Sequence, residues 1–533
     1  MDNKNLNKKQ FLIRNTIIAI FGLALFLTLA FSSRNFNEKD MSKESLIPIP
    51  IQIENYEGNF TITPETVILI SEDEEEMRSV ASYLSEFLSP ATGFELPVKQ
   101  NSEENKNSGN ILLSLSENSQ FQKPEAYTLE VTVENVHLQA STPEGLFRGI
   151  QTLRQLLPPE IESDKVQNIE WNVSSGKIED HPQYSYRGAM LDVSRHFFSV
   201  NEVKQYIDFL AAYKMNKLHL HLSDDQGWRI EIKKWPKLTS IGGSREVGDT
   251  EGGFYTQEDY KEIVAYAQKH YITVIPEIDM PGHTNAALAS YPQLNCDDNA
   301  PELYTGIEVG FSSLCVNKEI TYEFIDDVIS EIAAITPGPY FHIGGDESHA
   351  TSKEDYNYFI NRVQKIVKKY DKEIIGWDEI QTADIEEGVV AQFWHSEENA
   401  IAAKKKKAKI LMSPSKRAYM DMQYDSLSPL GLHWAAYIEV DSAYNWNPAT
   451  LVPEIAKEDI VGIEAPLWTE TIKDIEDVEY MVFPRLPGYA EIGWSPDSLR
   501  DWGEYKVRLG EQYKRFKIMN LNFYESPRVP WEK

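Results

Sequence analysis

The sequence predicts an α/β protein built in two parts, a smaller α/β domain followed by a (β/α)8, or TIM, barrel that carries the chemistry. Three observations predict it. A chain of 533 residues exceeds what one small core accommodates. After Pro182 the texture changes to short apolar runs separated by helical stretches such as 200–213 and 257–270. Eight such runs occur, at 188–193, 217–222, 273–278, 340–343, 373–376, 389–393, 409–412 and 462–465. Strands alternating with helices eight times are the signature of a closed barrel of parallel strands.

The elements follow in chain order. Residues 1–33 read as a signal peptide or N-terminal anchor, because Lys4, Lys8, Lys9 and Arg14 precede an apolar run at 17–31. That run is shorter than the ~20 residues a spanning helix needs. The folded part is therefore expected to be secreted, periplasmic or at the cell surface, with membrane contact only if the segment is retained as an anchor. Residues 34–46 are a polar linker. The domain at 47–180 mixes strands and helices: an apolar, β-branched stretch at 60–70, a helix capped by Ser71 with Glu72 to Glu76 in its first turn, strands at 111–115 and 127–140, and a helix beginning at Ser141 and Pro143. Nothing in it looks catalytic. The barrel occupies 181–533.

Composition narrows the function. Asp and Glu number 83 against 52 Lys and Arg, a formal net charge of −31, which excludes nucleic acid and anionic membrane surfaces as partners of a basic face. Two cysteines exclude a disulfide scaffold and a multi-cysteine zinc module. In an oxidising compartment Cys296 and Cys315 are expected to pair; the alternative is two buried thiols. Eleven Trp and 27 Tyr suit a cleft for a sugar or another small molecule.

Catalytic residues of such barrels lie where the strands end, and here every predicted strand runs into polar or aromatic residues. Asp192 and Arg195 follow the first, Asp224 and Asp225 the second, Glu277, Asp279 and His283 the third. The fourth ends in Gly344-Gly345-Asp346-Glu347, the fifth at Trp377, the sixth at Trp394. Tyr419 and Asp421 lie past the seventh, Trp468 and Glu470 past the eighth. A carboxylic acid that protonates a leaving oxygen, helped by a second carboxylate, is what glycoside cleavage needs.

The ordered motifs RGAMLDVSRHF, NKLHLHLSDDQGW, PEIDMPGH, HIGGDE and EAPLWTE resemble glycoside hydrolase family 20, the β-N-acetylhexosaminidases, and in particular bacterial exo-acting members, from about residue 47 to Trp531. The resemblance implies substrate-assisted, retaining hydrolysis of terminal β-linked GlcNAc or GalNAc, in which the sugar's own acetamido oxygen attacks the anomeric carbon. It makes Glu347 the general acid and base, Asp346 the partner of the acetamide N–H and Tyr419 the donor to the acetamide oxygen. Arg195 would hold sugar hydroxyls, Asp421 and Glu470 would accept from outer ones, and Trp377, Trp394 and Trp468, with Trp434 as a weaker fourth, would wall the sugar. Asp224, Asp279 and His283 would support the acid. Arg187 reads as structural. No cofactor or metal is implied. Asp378 and Glu379, just past Trp377, have no role in the pattern.

Two rivals stand beside this reading. His219 and His221 share one face of a strand, a weak zinc signal because no third ligand can be named. A non-catalytic sugar-binding protein could keep Arg195 and the tryptophans, but would not need Glu347, Asp346 and Tyr419 together. Within the enzyme reading, release of a disaccharide, and gluco against galacto preference, stay open.

Overall fold

The computed structural model describes residue 41 and residues 45–102, 108–116 and 123–533. The expected targeting segment, and the expected linker apart from residues 41, 45 and 46, lie outside the described residues. Among those described, no helix is long and apolar enough to cross a membrane.

The first region is a seven-stranded sheet of β1 (Gln52–Ile62), β2 (Ile68–Ile70), β3 (Val98–Gln100), β4 (Ile111–Leu115), β5 (Tyr127–Val131), β6 (Val136–Ala140) and β7 (Trp171–Asp180). Its order is β1-β7-β5-β6-β4-β2-β3, and the helices Glu75–Thr92 and Pro143–Leu156 pack on it. Two local expectations need correction. The stretch at 60–70 is not one strand: a turn at Thr63 to Thr66, closed by a 3.0 Å backbone hydrogen bond and containing Pro64, divides β1 from β2. Ser71 does not cap the helix. Its hydroxyl accepts from the Leu115 N–H at 3.3 Å and its own N–H reaches the Leu113 carbonyl, so it ties β2 to β4. The helix starts behind Glu74, with only Glu75 and Glu76 of the acidic run in its first turn.

The barrel closes as predicted. Its strands are β8 (Tyr186–Asp192), β9 (Lys217–His221), β10 (Thr273–Glu277), β11 (Tyr340–His342), β12 (Glu373–Trp377), β13 (Val390–Phe393), β14 (Lys409–Met412) and β15 (Ile460–Leu467). All neighbours are parallel, and β15 returns to β8. Strands covered on both sides read as nearly continuous apolar runs, which is why they were visible in the sequence. The interior is layered. Tyr186, Ile275, Ile375, Val390 and Leu411 form an apolar plug near the strand starts. Above it lies a buried polar layer of His219, Glu277, His342, Gln392 and Glu464. Asp192 pairs in register with His221, His221 with Glu277, and Glu277 with His342, so four neighbouring strands end at one level and their loops open into one mouth.

Buried charge joins the two regions at the opposite end. Glu125 accepts from Arg148 at 2.8 Å and from Arg187 at 3.0 Å. Lys214 sits 3.1 Å from Asp180, which also accepts from Trp494 at 2.9 Å. Trp494, from the last turn of the helix Arg485–Trp494, packs into the core of the first region. Arg187 is thus structural, a tie across the seam.

Candidate active site

The carboxyl pair is delivered by backbone geometry. After β11 the chain passes through Gly344 and Gly345 at φ of 63° and 101°, and Glu347 itself has φ 46°. A Cβ on Gly344 would lie 1.8 Å from Asp279 Oδ1, and one on Gly345 would lie 2.8 Å from Ile380. Only glycine fits both the left-handed backbone and the space. The Gly345 N–H donates to Asp279 Oδ1 at 3.0 Å, so Asp279 anchors the turn that carries Asp346 and Glu347 into the mouth.

A chain of charge stands behind the pair. His283 Nε2 is 3.5 Å from Glu347 and 3.7 Å from Asp346, and its Nδ1 is 3.1 Å from Asp224. Asp224 in turn meets Arg195 at 2.8 Å and His221 at 2.8 Å. Arg195 lies over Trp468, its guanidinium 4.8 Å from the ring centre. Asp192 fixes that arginine's loop by accepting from the Ser194 and Arg195 N–H groups.

The aromatic wall assembles from four strand ends. Trp377 and Trp468 lie 5.7 Å apart, Tyr419 lies 6.4 Å from Trp468, and Trp394 stacks 6.4 Å from Tyr419 at 15°. Trp434 stands outside, 53% exposed, with its ring 6.0 Å from Trp394 and 5.9 Å from Tyr419. Buried Asp421 makes no well-formed hydrogen bond through either carboxylate oxygen within the protein, and Asp346 Oδ1 and Arg195 Nε are likewise without one. Buried polar atoms are normally satisfied; here they converge where a polar ligand would sit.

Electrostatics separates the carboxyls. Burial, with Asp279 and Glu347 nearby, pushes Asp346 well above the ordinary carboxylate range. Burial also opposes charge on Glu347, but the hydrogen bond and charge of His283, then Arg195, outweigh it and hold this carboxyl low. Burial next to Glu277 and Asp224 lifts Asp279 to about 7. Burial and Glu470 push Asp421 up. Burial opposes charge on Asp224 too, yet Arg195 and His283 hold it low. Burial thus favours the neutral form of Asp346 more than that of Glu347, and the two neighbouring carboxyls influence each other.

Two comparisons bear on this arrangement. The catalytic-domain model of glycosyl hydrolase family 20 matches residues 184–497, and the model of the family's domain 2 matches residues 43–181. The chain belongs to glycosyl hydrolase family 20. A β-N-acetylhexosaminidase of Cellulomonas fimi is 37% identical over 494 residues, covering 92% of this chain and 98% of that one. The structure resembles that of Streptomyces plicatus N-acetyl-β-hexosaminidase in complex with Thio-NAglucal, with a TM-score of 0.88 and 50% identity over 92% of this chain and 98% of that one. A Vibrio harveyi exo β-N-acetylglucosaminidase in complex with N-acetylglucosamine gives a TM-score of 0.79 and 32% identity over 90% of this chain and 78% of that one. The protein is a glycoside hydrolase with a carbohydrate substrate, as its motifs led us to expect.

Arg195, Asp224, Asp279, His283, Asp346, Glu347, Trp377, Trp394, Tyr419 and Trp468 gather at the strand ends, Asp421 and Glu470 lie within charge range of each other, and Trp434 stands at the rim. The histidines of β9 both meet carboxylates, and among the described residues His219 with Glu277 and His342, and His221 with Asp224 and Asp279, lie close enough together to share an ion. His219 Nδ1 is 2.9 Å from Glu464; burial disfavours its charge, but Glu464 and Glu277 raise it to about 9. What the sequence reading missed is the polar layer beneath the sugar site. Gln392 looks like a single polar residue in an apolar strand, and Glu464 opens the EAPLWTE motif but has no role in it that the sequence reveals. Cys296 and Cys315 are joined in a disulfide, closing the loop that follows His283.

Proposed function

We propose that this family 20 enzyme removes terminal, non-reducing β-linked GlcNAc or GalNAc from glycans or chitooligosaccharides by exo-acting, substrate-assisted catalysis, with Glu347 and Asp346 as its working pair. The observation that carries the reading is the Asp346–Glu347 pair, held by the Gly344-Gly345 turn against His283 and faced by Tyr419 and the tryptophan wall. Glu347 protonates the departing glycosidic oxygen while the acetamido oxygen closes on the anomeric carbon; no enzyme–sugar bond forms. Glu347 then takes a proton from the water that opens the cyclic intermediate, and two inversions return the β-anomer. Asp346 accepts from the acetamide N–H and balances the cation that develops on the ring, while Tyr419 donates to the acetamide oxygen.

The proton has to move for this to work, and binding supplies the reason. An N–H donated to Asp346 favours its charged form, and a leaving group seated over Glu347 strips water from it and favours the neutral acid. Arg195, Asp421 and Glu470 meet the sugar hydroxyls, which supply partners for the unsatisfied oxygens of Asp421. The basic and apolar start of the chain supports an exported enzyme.

NMR of the first-formed sugar, with mass spectrometry of enzyme quenched in turnover, tests the mechanism. We expect the β-anomer and unmodified protein. An α-anomer or a glycosyl–carboxylate adduct would overturn it. The rate should fall above the pH at which the pair loses its shared proton; a kcat/KM still rising through pH 9 contradicts the assignment.

A further inference from the structure

Asp378 and Glu379 follow Trp377 at the end of β12, and the chemistry above uses neither. Their surroundings separate them. Asp378 is fully occupied: Oδ2 accepts from the N–H groups of Trp394, His395 and Ser396 at 3.1, 3.2 and 3.3 Å, and Oδ1 from Asn399 at 2.7 Å. It pins the turn that leaves β13. Glu379 does something narrower. Its Oε2 accepts from the indole Nε1 of Trp394 at 3.0 Å, beside a cavity of 610 Å³ that Glu347, Glu379 and Trp394 line together.

We infer that Glu379 is a positioning residue: by this one hydrogen bond it fixes the plane of Trp394, and with it the wall against which the acetamido group is pressed. The inference rests on the reading of Trp394 as a wall of the sugar site. Trp394 is only partly buried, and its ring neighbours are His395 edge-on at 5.1 Å, the stacked face of Tyr419 and the exposed Trp434. Ring contacts of this kind tolerate sliding and rotation, whereas a hydrogen bond at the far end of the indole does not. The same device recurs one strand earlier, where the Trp377 indole donates to Glu277 Oε1 at 3.0 Å. The two acceptors differ in charge. Burial opposes ionisation of Glu277, but His342, His221 and His219 hold it well below the usual range. Glu379 has no such cations; burial, Asp378 and Asp346 push it well above that range. A neutral acid keeps an oxygen for Trp394 without adding a negative charge beside Asp346, so an amide should serve as well.

The test is a double-mutant cycle on the full chain with Glu379→Gln, Glu379→Met, Trp394→Phe and Glu379→Met/Trp394→Phe. It is read by kcat and KM on 4-nitrophenyl β-GlcNAc, affinity for a thiazoline mimic of the cyclic intermediate, and Tm. Glu379→Gln should stay within about threefold of the parent in every constant. Glu379→Met should lower kcat and weaken the thiazoline by about tenfold, the scale of one hydrogen bond, and have less than about a twofold effect once Trp394 is Phe. A purely structural role would lower Tm without this split between Gln and Met. Glu379→Met at parental kcat and affinity, equal damage from Gln and Met, or additive effects in the cycle would each overturn the inference. If Trp394→Phe alone changes nothing, the wall itself has been misread and the proposed function is at fault. If Glu379→Met does not fold, Glu379→Asp, which withdraws the acceptor by one methylene, takes its place in the cycle.

Discussion

The barrel buries carboxylates at both ends, and the two ends treat them differently. At the seam, Glu125 lies between Arg148 and Arg187; burial alone would raise it, yet the two guanidinium groups hold it at about 2. At the mouth, Asp346, Asp279 and Asp421 are as deeply buried and all are pushed upward. Glu347 and Asp224, both next to His283, are held low there. A charge matched by cations holds parts together, whereas charge left unmatched destabilises the free protein until a ligand supplies the missing partner. The seam is built for the folded state, and the mouth for a state that exists only during turnover.

The comparison can be broken hardest at Glu347. Glu347→Gln should lose about 10²–10⁴-fold in kcat, least for substrates with a good leaving group, at an unchanged Tm; near-parental hydrolysis of chitobiose would remove Glu347 from its role. Glu125→Gln should do the reverse. It leaves the buried Arg187 guanidinium without a carboxylate and Arg148 with Glu144, so denaturant unfolding should register a loss of about 3–5 kcal/mol while kcat per folded molecule stays the same. A lost kcat with intact stability would erase the distinction. Between these lies Asp421→Asn, which should raise KM and leave Tm equal or higher, because it removes a carboxylate for which burial and Glu470 outweigh the pull of Arg485; a Tm drop of several degrees would mean Asp421 belongs to the scaffold.

The finest probe is stability against pH. Glu125 has a depressed folded value, so its contribution is present above the ordinary carboxylate range and disappears as pH falls toward 2; at neutral pH it amounts to about 3 kcal/mol. Asp279 has a raised one, so its contribution is present below about 4 and lost as pH rises toward 7. The enzyme should be most stable on the mildly acid side. Glu125→Gln should flatten the acid limb, and Asp279→Asn should flatten the neutral one. Parallel curves for parent and variants would refute the assignment of these slopes.

Much of this contrast was legible in the chain itself. The eight barrel strands stood out because parallel strands covered on both faces are apolar throughout, and the site residues because they recur directly after each strand. The seam was less visible. Arg187 could be judged structural, but its partner Glu125 sits 62 residues earlier, in a region where nothing local distinguishes a buried carboxylate from a solvated one. Ser71 misled for a related reason. A serine ahead of an acidic run is a good helix cap by local rules, and here the sheet took it for a strand-to-strand tie. Glu379 has no role legible in the sequence, because its partner lies just past the next strand and sequence alone does not say which way an indole points.

The tight turn at Gly344 and Gly345 has a consequence for anyone who tries to evolve this enzyme. Because an added methyl at either position would collide with Asp279 or Ile380, the set of tolerated amino acids should collapse to glycine at each site, whatever substrate is selected for. Improved variants will therefore come from the loops carrying Trp394, Trp434 and Asp421, which can change shape without moving the acid. New specificity on this scaffold is reached by reshaping the walls around a fixed pair of carboxyls.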